Sequence, residues 1–137
     1  MPPTPQAVPP PVVLGTEGSE RILAKREPAI VAGLGGHDIV ITHHPESQLA
    51  GGAGFDVLLP RAGARRIAAG RDGGVVFVGG AAGATVVVES GLNIVVGSEG
   101  ADRIKIWGGV NLIAGMGGDD AIEVLGPSLS FVWTGPG

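Results

Sequence analysis

Five acidic side chains in this chain recur at one spacing. Glu20, Asp38 and Asp56 stand eighteen residues apart, Asp102 and Asp120 repeat the same step, and each follows a glycine-rich stretch. A carboxylate set in a tight glycine turn accepts hydrogen bonds from the turn's own amides. Other chemistries find less support. Glu17, Glu46, Glu89, Glu99 and Glu123 show no paired spacing of the kind glycoside hydrolysis uses. His37 falls in a turn on one side, His43 and His44 precede Pro45 on the other, and the chain has no Cys to join them. No zinc centre is therefore expected. Gly33-Leu34-Gly35-Gly36 and Gly115-Met116-Gly117-Gly118 lack the G-x-G-x-x-G spacing. No helix follows either run to lend its dipole to a phosphate. Arg61, Arg65, Arg66 and Arg71 form a basic stretch that reads as a solvated face, with docking of an acidic partner as the alternative.

The elements that must carry these residues are short. The 137 residues include 26 Gly and 11 Pro, and the longest run free of both is Ser19 to Glu27. Nine residues are fewer than an average helix, so a helical domain is excluded. Yet 44% of the chain is hydrophobic and only 16% charged, the wrong balance for disorder. Val and Ile outnumber Leu by 27 to 10, which favours strands. The net charge of −4 argues against a general nucleic-acid binder. No apolar run approaches the ~18 residues of a membrane span, and residues 1–5 have neither the basic nor the apolar segment of a signal peptide.

Reading in nines from Gly15 to Val132 gives thirteen units, each a glycine turn and a short strand. This register takes an extra residue at Ala69 and at Gly79 and loses one near Glu89. The eighth residue of every unit is then large and apolar. Ile22, Val40, Leu58, Phe77, Val95, Ile113 and Phe131 belong to one side, and Val31, Leu49, Ile67, Val87, Ile104 and Ile122 to the other. These side chains are expected to point inward. The sixth positions run Glu20, Asp38, Asp56, Val75, Asn93, Asn111, Leu129 on one side. On the other they run Ala29, Ser47, Arg65, Thr85, Asp102, Asp120.

The unit resembles the G-G-x-G-x-D-x-U-x nonapeptide of RTX (haemolysin-type calcium-binding) proteins. Gly51 to Leu59 matches every specified position, and the copies at Gly15, Gly33, Gly97 and Gly115 match with one or two departures. The resemblance covers residues 15–132 and implies an all-β, right-handed parallel β-roll with coils of about eighteen residues. It also implies Ca²⁺ between successive loops, held by sixth-position carboxylates and turn carbonyls. On that reading Asp38 with Asp56 is the first pair, Asp102 with Asp120 the second, and Glu20 with Asp38 the third. A metal-free roll, its carboxylates bonded to turn amides, is the alternative.

Residues 1–14 read as an extended Pro-rich arm, 15–132 as the roll and 133–137 as a tail. Pro fixes φ and lowers the entropy lost on ordering, which suits the arm to docking, with Pro9, Pro10, Pro11, Val12 and Val13 as the contact residues. With few insertions to build a cleft, an enzyme is not expected. The favoured function is a structural protein that docks onto a larger assembly, such as a phage capsid or a bacterial surface structure. A virion-surface or extracellular setting fits it, and a homo-oligomer is compatible. A secreted calcium-binding RTX module is the second reading.

Overall fold

The structure, a computed structural model, describes residues 12–24 and 29–133. These residues form fourteen strands: β1 (Val12–Leu14), β2 (Arg21–Ala24), β3 (Ile30–Ala32), β4 (Ile39–Thr42), β5 (Gln48–Ala50), β6 (Asp56–Pro60) and β7 (Ala64–Ala68), then β8 (Gly73–Phe77), β9 (Ala84–Val88), β10 (Leu92–Val96), β11 (Arg103–Ile106), β12 (Gly109–Ala114), β13 (Ala121–Val124) and β14 (Ser128–Trp133). Odd strands build one seven-stranded sheet and even strands the other, each in chain order, and every pairing is parallel. The chain is thus a β-solenoid of about seven coils.

The strands read as the sequence requires. β-branched residues fit a pleated, half-buried surface, and alternate side chains point to opposite faces. Ile22, Val40, Leu58, Val76, Val95 and Ile113 from the even sheet meet Val31, Ile67, Val86 and Ile104 from the odd one. Most of these are fully buried. Each coil packs only on its neighbours, as a solenoid must.

The register departs from the expected one in two places. β6 and β8 keep the eighteen-residue step, pairing Leu58 with Val76, while β8 and β10 pair Val76 with Val95, a step of nineteen. One residue is therefore inserted between β8 and β9, and no change occurs at Ala69 or Glu89. Val76 and Val86 point inward; Phe77 is 47% exposed on the outer face and Val87 also turns outward. A second extra residue enters between β13 and β14, because Ile113 pairs with Val132. Phe131 accordingly faces out beside Leu112. Val132 occupies the core column but stays exposed, for no further coil covers it. The same shifts put Gly74, Ser130 and Ala84 where Val75, Leu129 and Thr85 were expected. Continuity of the backbone ladder decides these positions, since a one-residue slip would turn a whole strand inside out.

Val12 and Val13, assigned to the docking arm, lie in β1 and pair with Ile30 and Val31. The roll begins with them, not at Gly15, and Val13 packs against the core. Pro9, Pro10 and Pro11, with the rest of residues 1–11, lie outside the described residues, as do residues 134–137. Trp133, placed in the tail, ends β14.

Candidate functional site

The acidic turns are of two kinds, set by their second residue. In Gly33–Asp38 and Gly115–Asp120 that residue is Leu34 (φ 76°) or Met116 (φ 71°), and in Gly51–Asp56 it is Gly52 (φ 92°). All three adopt the left-handed region, and the fourth residue, a glycine, follows them. In Gly15–Glu20 and Gly97–Asp102 the second residue is Thr16 or Ser98. Its hydroxyl accepts from the fourth residue's N–H, Gly18 or Gly100, at 3.0 Å in both, a local bond that closes the turn without left-handed backbone. Its own amide then donates to the sixth-position carboxylate: Thr16 N–H to Glu20 Oε1, and Ser98 N–H to Asp102 Oδ2 at 2.6 Å.

Whatever the turn, the sixth-position aspartate reaches back one coil. Asp38 Oδ1 accepts from Glu20 N–H at 2.8 Å and Asp56 Oδ1 from Asp38 N–H at 2.9 Å. On the opposite edge Asp102 Oδ1 accepts from Ala84 N–H at 2.8 Å and Asp120 Oδ1 from Asp102 N–H at 2.9 Å. Ser47 serves Ala29 in the same way, at 3.1 Å. Further along the first edge the column continues as amides: Asn93 Nδ2 donates to Asn111 Oδ1 at 2.9 Å, and Asn111 Nδ2 to Ser130 Oγ at 3.1 Å. The column is a ladder that ties coil to coil.

The aspartates also explain the opening glycines. A Cβ on Gly33 would stand 2.5 Å from Asp38 Oδ2 and 2.7 Å from the Gly51 carbonyl oxygen. The carboxylate occupies the space a side chain would need.

The two turn kinds leave different residual chemistry. Asp102 and Glu20 have their carboxylates engaged within the turn. Asp38, Asp56 and Asp120 each keep a buried Oδ2 with no hydrogen-bond partner among the described residues. An unpaired buried acceptor costs about 1–3 kcal/mol. Burial pushes the Asp56 carboxyl above the usual range, opposed by the hydrogen bond from Asp38 N–H and reinforced by the neighbouring Asp38 charge. Burial also raises Asp102, against the hydrogen bonds from Ser98 and Ala84.

Calcium asks for six to eight hard oxygens. Asp38 and Asp56 fit in part, offering uncommitted Oδ2 atoms on successive coils, beside turn carbonyls. Glu20 and Asp102 fit less well, and Asp102–Asp120 retains one free oxygen. No group of three or more His, Asp or Glu side chains converges among the described residues. His37 Nδ1 accepts from Phe55 N–H at 2.9 Å and His44 Nδ1 from Glu46 N–H at 3.1 Å, in turns on opposite edges. The arginines spread out: Arg65 and Arg66 are both exposed at a bulge in β7, while Arg61 and Arg71 lie beyond its two ends.

A further surface escaped the sequence reading. The outer face of the even sheet carries two adjacent columns, Ile39, Val57, Val75, Ile94, Leu112, Phe131 and Leu23, Ile41, Leu59, Phe77, Val96, Ala114, Trp133, of which Ile41 alone is buried. Arg21 alone among these outward positions of β2 to β14 bears a charge. On the odd sheet the equivalent positions include Arg66, Arg103, Lys105 and Glu123. The signal lay in the seventh and ninth residues of alternate units, apolar on one sheet and mixed on the other. Comparison with protein-family models, with curated proteins and with solved structures finds no match for this chain.

Proposed function

We propose that the protein is a non-enzymatic structural component, a rigid β-solenoid built into a larger protein assembly such as a phage capsid or a bacterial surface structure. One observation carries this reading: among the described residues, no connection between consecutive strands exceeds six residues. Connections that short leave no loops to wall a deep cleft, whereas catalytic sites on rigid scaffolds are commonly built from loops. Two continuous parallel ladders give instead a stiff body with fixed faces. No helix among the described residues is long and apolar enough to cross a membrane. The test is fractionation of expressing cells and their medium by ultracentrifugation. The full chain should sediment with a large particle, and a variant lacking residues 2–11 should stay in the supernatant. A full chain found only as free protein overturns the assembly. A truncated chain that still sediments overturns the arm as its docking element.

A second reading, a calcium-binding module of RTX type, is favoured by the orphaned Oδ2 atoms of Asp38 and Asp56. Those two carboxylates, with carbonyls of the Gly33 and Gly51 turns, would hold the ion, which would neutralise buried charge and clamp neighbouring coils. Ligand at ~100 Kd stabilises a folded state by about 2.7 kcal/mol. Excess Ca²⁺ should therefore raise the Tm of the wild type and leave Asp56→Asn almost unmoved. Identical wild-type melting curves in calcium and in chelator would sink this reading.

A further inference from the structure

We propose that the outer face of the even sheet is a homodimer interface, closed by a second copy of this chain. An ordinary antiparallel sheet is apolar on one side and polar on the other. Here β10 and β12 bury Val95 and Ile113 inside, and with β14 they present Leu92, Ile94, Leu112 and Phe131 outside. Exposure is high: Leu112 56%, Phe131 62%, Trp133 71%. Three of the chain's five aromatic residues, Phe77, Phe131 and Trp133, stand on this face. Phe77, Leu92, Val110, Leu112, Phe131 and Trp133 are each at least 46% exposed, side by side on β8 to β14, where a monomer's exposed apolar residues are ordinarily scattered.

Area, charge and shape select a second copy as the occupant. A standard interface buries ~800 Å² per partner, and the outward residues of β6 to β14 offer an apolar surface spread over five strands. It has no charge from β4 to β14 for a charged partner to pair with. Its in-register parallel strands match another sheet of the same kind, packed ~10 Å away. The face also carries a projection and a hollow. Phe77 projects from β8, while Ala114 on β12 floors a depression of about 350 Å³ rimmed by Ile94, Leu112, Phe131 and Trp133. The sheet order β12-β10-β8 places them one strand to either side of β10. A two-fold axis along β10 sets Phe77 of each copy over the hollow of the other, which is the self-complementarity an isologous contact needs. That axis overlaps β6 to β14 and leaves Arg21 on β2 in solvent.

Sedimentation velocity on the full chain, from micromolar concentration upward, tests this. The wild type should run as a dimer. Leu112→Lys should weaken it by about 30-fold or more, as loss of a central contact does, and Arg103→Glu on the other sheet should not. Circular dichroism monitors the fold, and Leu112→Thr, which keeps strand propensity, replaces the lysine variant if that one unfolds. A monomeric wild type, or a dimer sensitive at Arg103 and indifferent at Leu112, overturns the proposal. A monomer that dimerises only once residues 1–11 are removed makes that segment the occupant and overturns it too. Because purified protein suffices, a particle-free dimer leaves this inference standing while the larger assembly falls, and the converse also holds.

Discussion

Asp56 carries most of the tension at the scale of single residues. Its Oδ1 is committed to Asp38 N–H, its Oδ2 has no partner, and its pKa is raised chiefly by burial. A raised folded pKa means the native state holds the proton more tightly than the unfolded chain does. The linked stability is present in full below the unfolded value, ~3.9, and is lost as pH rises through the folded one. At neutral pH the ionised carboxylate therefore opposes folding. Asparagine keeps the accepting oxygen and replaces the orphan with a donor. Asn111 Nδ2 shows a use for one, reaching the carbonyl three residues back, Gly108, at 3.1 Å. In chelator at pH 7, Asp56→Asn should be more stable than the wild type by about 1 kcal/mol, the value of one hydrogen bond. The gap should close as pH falls toward 4. Urea midpoints across that range measure it, and a gap that is reversed or independent of pH contradicts the assignment.

At the scale of strands, the interior column decides stability and the outer columns do not. Ile104 is fully buried on β11, between Val86 and Ile122. Ile104→Ala should cost about 2–5 kcal/mol through transfer and cavity terms. Phe77→Thr, on the outer face, should change monomer stability by less than about 1 kcal/mol, since threonine suits a strand. Comparable losses for both would restore Phe77 to the core and undo the observed register. This pair also marks how far the fold was legible. The eighteen-residue step, the parallel coils and most of the core followed from glycine turns and one apolar column. The inserted residue did not, because Val75-Val76-Phe77-Val78 offers several apolar residues to the same inward place. Only the hydrogen-bond ladder to β6 and β10 selects Val76. The site was legible as a column of acids. Its two turn kinds depend on whether the second residue's amide reaches the carboxylate, which spacing does not reveal.

At the scale of the whole molecule, the coil is the unit of exchange. β2, β4 and β6 are related by steps of eighteen, as are β3, β5 and β7. Excising residues 33–50 would bring Ile22 against Leu58, Glu20 N–H against Asp56 Oδ1 and Val31 against Ile67. Every ladder is then remade one coil shorter. Stability in such a solenoid is close to a sum over repeats and their interfaces. The shortened chain should fold cooperatively, with a smaller denaturant m-value in proportion to the surface lost and a lower Tm. Excising seventeen residues, 33–49, leaves Ala50 as one extra turn residue and should still fold, because the turns between β8 and β9 and between β13 and β14 already absorb one each. Excising nine, 33–41, should fail, because it hands the strands of one sheet to the other and breaks the acidic column. Circular dichroism and urea unfolding of the three deletions decide the matter. A nine-residue deletion that folds as well as the eighteen-residue one would show that the coil is not the unit of exchange.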